Sequence, residues 1–352
     1  MGTTTVDRTA AFSKYTSAID QLPEGAFLGS LLYFSISNAD VHLVNAHRDL
    51  KNAGLSTDHM RDQLRPRDAF AKAARRIEKK FKPKDGIRAE LLVRQVGDVN
   101  GEELFRFLIL ERSTVEAGVK KKINFDRVGE LKFTKGRREN GEYVGHGVEV
   151  LRTTERTDPI TGETVSTLKM PLTEEQDQWI SEQLITFADH YDHLLNYLDS
   201  HAVRTFVREY IYSLSGICVK ESGGLYFVKQ EHAEEIAKLG QWVRSIGSEF
   251  HALPLLNLED QRDMIMQAFE EEVSREVDSL MAEISKILQD STRKIEEKTF
   301  DAYGLRAAEL TQKMREYTMM LDGRAEHAAE KVSIYRQQIL QLAGRIKSNQ
   351  SL

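Results

Sequence analysis

The sequence predicts an α+β protein: an antiparallel β-meander with helices, a helical, winged-helix-like module, and a C-terminal coiled coil of long helices. Three patterns carry that prediction. Between Ile87 and Met170, apolar and polar residues alternate with period two between Gly, Asn and Asp turns. Those turns are too short for the helical crossovers of a parallel sheet. From Thr173 to Ile246 the apolar spacing becomes three and four, broken once by a hairpin-like stretch. After Pro254 the chain is almost free of breakers to Gly304, and Val273, Val277, Leu280, Ile284 and Ile287 step like the a/d seam of a coiled coil.

Taken in order, Phe27–Ser37 is rich in apolar and aromatic residues and reads as a buried strand entered after Pro23 and Gly25. Asn38 or Asp40 caps a short helix bearing Val41, Val44 and Leu50, which Gly54 ends. Pro66 opens a second helix, Arg67–Phe81, whose stripe is Phe70, Ala73, Ala74, Ile77 and Phe81. Five strands follow, at Ile87–Val96, Glu103–Arg112, Lys121–Phe133, Tyr143–Thr153 and Thr164–Lys169, with turns at 98–101 and 158–162. Thr173 with Gln176 three residues later starts a helix carrying Ile180, Leu184, Phe187, Tyr191, Leu194 and Leu198. A helix over Ser200–Leu214, strands Ile217–Val219 and Leu225–Val228 around Gly223 and Gly224, a helix over His232–Ile246 and an extended piece near Phe250 complete the winged-helix-like order.

The coil continues through Leu310, Met314, Tyr317, Leu321, Ala325, Ala328, Val332, Tyr335, Ile339 and Leu342, with one extra four-residue step near Gly323 that reads as a stutter. Two helices folded back around Tyr303 and Gly304, or one continuous helix in an oligomeric coil, both satisfy this seam. The implied domains are a basic sheet domain over 1–171, a helix–hairpin–helix module over 172–256 and coiled-coil helices over 257–352.

The 352 residues are 40% hydrophobic and 30% charged, with 6 Pro, 22 Gly and a single cysteine. That balance excludes a disordered or collagen-like chain, a disulfide scaffold and a zinc cage of cysteines. No apolar run reaches membrane-spanning length, and a reducing cytoplasm is the expected compartment. The net charge of -6 hides an asymmetry: Arg65–Arg138 holds 21 Lys/Arg against 11 Asp/Glu, a surplus of +10 that leaves -16 elsewhere. Lys and Arg blocks at 65–84 and 119–138 therefore create a local field that suits a polyanion.

No G-x-x-x-x-G-K-[ST] loop, no G-x-G-x-x-G after a strand and no G-x-S-x-G elbow occurs. Cys218 lies in an apolar Ile-Cys-Val run and reads as a buried structural thiol. Asp189, His190 and His193 have helical metal-ligand spacing, but the stripe turns Asp189, Asp192, His193 and Asn196 towards solvent. Neither a metal nor a cofactor is expected. The candidate nucleic-acid contacts are Arg75, Arg76, Lys79 and Lys80, Lys120, Lys121 and Lys122, and Arg137 and Arg138, joined by Arg204 and Arg208 on the later module's second helix, with Lys220 and Lys229 on its hairpin.

Three segments, Leu28-Gly-Ser-Leu-Leu-Tyr-Phe-Ser-Ile-Ser37, Arg65-Pro-Arg-Asp-Ala-Phe70 and Ser222-Gly-Gly-Leu-Tyr-Phe-Val228, resemble an uncharacterised family of actinobacterial, phage and plasmid proteins. The resemblance brings no reaction and no catalytic residue. It implies a mobile-element context, in a bacterial cell or a phage-infected host. The expected function is that of a non-enzymatic adaptor: a basic surface contacts a DNA or RNA backbone, and residues 257–345 self-associate or bind a protein partner, with no membrane involved. A scaffold without nucleic-acid binding is the second expectation, and an enzyme with a dispersed site the third.

Overall fold

A computed structural model of the chain describes residues 23, 25–37, 40–81, 87–99, 103–116, 119–139, 142–152, 155–157, 164–166, 168, 171–220, 223–289, 297–321 and 326–350. It is a mixed α/β structure with antiparallel sheets, divided into two compact units that are each discontinuous in sequence. A meander unit holds Asp40–Arg48 and Met60–Asp199; a helical unit holds the first strand, Asp49–His59 and Ser200–Leu352. Boundaries near 171 and 256 were expected from sequence order, and strand pairing overrides them.

That override begins with β1 (Phe27–Ser35), which lies inside a four-stranded antiparallel sheet of order β13 (Ile217–Lys220), β14 (Leu225–Lys229), β1, β15 (Glu249–Leu256). A nine-residue apolar strand is a liability at a sheet edge, and here both of its edges are paired. Gly29 permits the close approach to β14: a Cβ there would stand 2.2 Å from the Val228 carbonyl oxygen.

Both faces of this sheet are covered. On one, Leu28, Ile217, Phe227 and Leu255 pack with Ile265, Phe269 and Val273 of α6 (Glu259–Gln289). On the other, Tyr212 of α4 (Ser200–Ser213) meets Tyr226, and Gly240 of α5 (Ala233–Ser245) admits the Phe250 ring. The β13–β14 hairpin is thus part of this sheet, with β14 inside it and β13 at its edge.

Most of the described C-terminal seam residues are buried within the single chain, on α6 and two further helices, α7 (Glu297–Met320) and α8 (Glu326–Gln350), whereas Ala325 and the stutter expected near Gly323 lie outside the described residues. Phe269 stacks on Tyr317 at 4.4 Å and Tyr303 donates to Glu283, so α7 runs antiparallel to α6. Lys331 bonds Asp278, and the Tyr335 hydroxyl donates to the Tyr303 carbonyl, which brings α8 alongside both. Tyr303 and Gly304 lie within α7 and make no turn, and a single continuous helix is not formed. Glycine alone does not break a helix whose flanking residues bury a stripe.

In the meander unit a five-stranded antiparallel sheet has the order β3 (Lys80–Phe81), β4 (Ile87–Val99), β5 (Glu103–Glu116), β6 (Val119–Thr134), β9 (Gly147–Leu151). On one face it carries α2 (Pro66–Arg76) and α3 (Glu174–Asn196), whose Phe70, Ala73, Ala74, Ile180, Leu184 and Phe187 share a core with Leu91, Leu108, Leu110 and Phe133. Thr173 and Gln176 form the expected capping box.

Three boundaries differ from expectation. Helix α2 ends at Arg76, because the sheet captures the next residues: the Leu91 N–H donates to the Lys79 carbonyl and Phe81 pairs with Ala89. The strand expected over Tyr143–Thr153 breaks at Gly145, with φ of 71°, into β8 (Glu142–Val144), paired with β7 (Arg137–Glu139), and β9, paired with β6. The first helix, α1 (Leu43–Asn52), starts only at Leu43, because Asp40–His42 form β2, which pairs with β12 (Tyr197–Asp199). Strands β10 (Glu155–Thr157) and β11 (Thr164–Ser166) form a separate hairpin, and the turn expected over 158–162 lies outside the described residues.

Candidate nucleic-acid interface

The structure disperses the expected basic set. In the helical unit Arg204 donates to the Ile36 carbonyl, Arg208 bonds its neighbour Glu209, and Lys229 is buried between Glu231 and Glu316. Burial alone would lower the Lys229 pKa, but hydrogen bonds and charge from those two glutamates outweigh it and raise it. Lys229 thus serves the fold, whereas Arg204 and Arg208 are exposed. A cavity of about 870 Å³ between α4, α6 and α7 is tied together internally: Lys313 bonds Glu272 and the Gly216 carbonyl, and Arg306 bonds Glu276 and Glu309.

In the meander unit, Lys120, Lys121 and Lys122 begin β6, whereas Arg137 and Arg138 follow its far end. At about 3.3 Å per residue, roughly 40 Å of strand separates the two groups, so they are not one patch. The side chains of Lys120, Lys121 and Lys122 lie outside the described residues. Arg137 bonds Glu139, Arg138 reaches Asp62 at 3.5 Å, and Lys80 approaches Glu90 at 4.0 Å.

Helix α2 is different. Its apolar stripe is committed to the sheet, so Lys72, Arg75 and Arg76 fall together, three and four residues apart, on the exposed face. Like charges at that spacing each disfavour the helix by about 0.2–0.5 kcal/mol, offset in part by the C-terminal helix dipole beside Arg75 and Arg76. Exposed Lys79 follows immediately.

Sequence reasoning missed the two groups that complete this site. The first is Arg106 of β5. Strand parity turns Arg106, Leu108, Leu110 and Arg112 to the helix-covered face, and the two arginines meet different fates there. Arg112 is 3% exposed and is paired with fully buried Asp126 at 2.5 Å. Arg106 instead lies over the Phe70 ring at 5.5 Å beside Arg75, and its Nε makes no hydrogen bond among the described residues. Burial, then the Arg75 charge, pull its pKa down, and Glu78 partly opposes them. Glu78 is itself engaged by the Val93 N–H and Arg94. An arginine in an inward register was the available signal.

The second group is His190 of α3. Its Nε2 lies 3.1 Å from Arg76 Nη1, and since a guanidinium only donates, Nε2 accepts and the ring proton sits on Nδ1. Burial, then Arg76 and His193, lower the His190 pKa. His193 pairs with Asp40 of β2, and Asp189 and Asp192 stay exposed. Among the described residues no three His, Cys, Asp or Glu side chains gather as a metal site, and no helix is long and apolar enough to cross a membrane. Cys218 is buried, with its N–H on Glu272.

The chain belongs to a family of unknown function (DUF6744), whose model matches residues 27–348. No curated protein and no solved structure matches it.

Proposed function

We propose that this DUF6744 member is a non-enzymatic adaptor of a phage or other mobile element, working in the cytoplasm of an actinobacterial host, that holds a nucleic-acid backbone on the cationic face of α2. One observation carries the reading: Lys72, Arg75 and Arg76 share an exposed helix face adjoining Arg106, and no described carboxylate bonds Arg75, Arg76 or Arg106. A cationic face of this kind fits phosphates and carries no base-reading geometry, so the binding is sequence-independent. In this proposal the helix bearing Arg204 and Arg208 lies outside the interface.

The role of the C-terminal helices in this proposal is docking of a protein partner or a second copy. Their seam is filled by the chain's own side chains, so docking falls to the outer faces, where Leu305, Met319 and Leu340 are exposed. The same residues favour the second reading, a scaffold without nucleic acid. Fluorescence anisotropy with labelled DNA and RNA over a salt series separates the two. Binding that weakens with salt, with a slope of about 0.7–0.9 per phosphate contact, supports the first, and no binding at low salt ends it. Replacing Lys120, Lys121 and Lys122 by Glu tests whether that block extends the footprint.

A further inference from the structure

The described Lys and Arg side chains of α7 and α8 are Arg306, Lys313, Arg315, Lys331 and Arg336. Most are neutralised within the chain: Arg306 bonds Glu276 and Glu309, Lys313 bonds Glu272, and Lys331 bonds Asp278. Arg315 of α7 and Arg336 of α8 are exposed and have no ion pair or hydrogen bond among the described residues. These same two line one cavity of about 510 Å³ between the helices, and no described carboxylate lines it with them. Gly304, Ala308, Thr311 and Arg315 step by four, three and four along α7 and so form one row of its floor. A Cβ added at Gly304 would meet no atom within 4 Å, so the space above this row is open. Thr311 donates its hydroxyl proton to the Ala307 carbonyl and Gln312 bonds Glu316, which leaves the guanidinium groups as the charged donors of the cavity.

Two guanidinium forks without a counter-ion select an oxyanion, because each fork meets carboxylate or phosphate oxygens two at a time. A phosphate monoester carries both compensating charges on one group, with several acceptor oxygens, once it has lost its second proton near pH 6. The cavity also has room for more than that group. Its volume falls in the range of about 300–1,000 Å³ that holds small organic ligands, and Gly304, Ala307 and Ala308 give it a floor without long side chains. We infer that the groove between α7 and α8 binds one organic phosphate monoester, with its phosphate on Arg315 and Arg336 and its body over Gly304 and Ala308. This site goes beyond the α2 reading and does not rest on it.

The test titrates the full chain by calorimetry at about pH 8 with phenyl phosphate, its singly charged isostere phenyl sulfate, and inorganic phosphate. Phenyl phosphate should bind one to one and about tenfold tighter than either of the others, the order of affinity that one set of charged hydrogen bonds contributes. Arg315→Gln and Arg336→Gln should each weaken it about tenfold. Both positions are exposed, so the unfolding temperature without ligand should not move. Ala308→Leu, which fills the floor, should weaken phenyl phosphate and leave inorganic phosphate as it was. Arg75→Gln with Arg76→Gln should change none of these affinities, so this site and the α2 face fail separately. No binding of phenyl phosphate, equal affinity for the phosphate and the sulfate, or binding unchanged in both Arg315→Gln and Arg336→Gln overturns the site. Equal affinity for phenyl phosphate and inorganic phosphate overturns the organic body.

Discussion

Replacing Asp126 by Ala should cost the meander unit about 3–5 kcal/mol, the penalty for stranding one partner of a buried ion pair. Arg112 is 3% exposed and spends Nη2 on Asp126 and Nη1 on the Pro171 carbonyl at 2.9 Å. Without the carboxylate, a desolvated guanidinium loses the opposite charge beside it, and against a domain stability of about 5–15 kcal/mol the loss is large. The apolar double variant Arg112→Met with Asp126→Leu removes both charges and should return to within about 1 kcal/mol of the parent or exceed it.

Urea unfolding followed by tryptophan fluorescence provides the assay. The chain has two tryptophans. Trp179 packs on Phe81 in this unit, and Trp242 lies in the other, so a Trp242→Phe background reports the meander unit alone. A single-variant loss below about 1 kcal/mol, or a double variant no better than the single, refutes the burial argument.

Gly29→Ala should destabilise the helical unit by about 1–3 kcal/mol in the Trp242 transition, since its Cβ would collide with Val228 and Phe227; an unchanged midpoint would show that β1 and β14 are not so close. Tyr317 is fully buried and donates to the Ser215 carbonyl at 2.9 Å, so Tyr317→Phe should cost about 1 kcal/mol, and no loss would separate α7 from the sheet. The lowered His190 pKa has a definite sign. The unfolded state takes the proton first, so the stability of the neutral form is complete above about pH 6.5 and falls as pH drops towards the folded value. His190→Gln should flatten that acid limb, and an unchanged limb contradicts the assignment.

Local patterns proved legible where one element decides the outcome: the capping box at Thr173, the α2 stripe and the period-two strands were all readable. What remained hidden depends on pairing across long separations. Nothing near Phe27–Ser35 announces that its partners are 225–229 and 249–256, so sequential domains were expected where the units interleave. A 4-3 seam is equally satisfied by one chain or several, and only the backbone course through 297–320 assigns it to three helices of one molecule. Charge counting found the basic segment but ranked its members poorly. Side-chain pairing is a three-dimensional property: it engages Arg137, Arg138 and Arg208 with neighbouring carboxylates and Arg204 with the Ile36 carbonyl, and it brings in Arg106, which parity on β5 could have marked.

The salt dependence of nucleic-acid affinity, compared between two double variants, tests the central claim most directly. Arg75→Gln with Arg76→Gln should lower the slope of log K against log salt by about 1.4–1.8, two phosphate contacts' worth, whereas Arg204→Gln with Arg208→Gln should leave it unchanged. The reverse pattern, or equal slopes in both variants and the parent, would contradict an interface on α2.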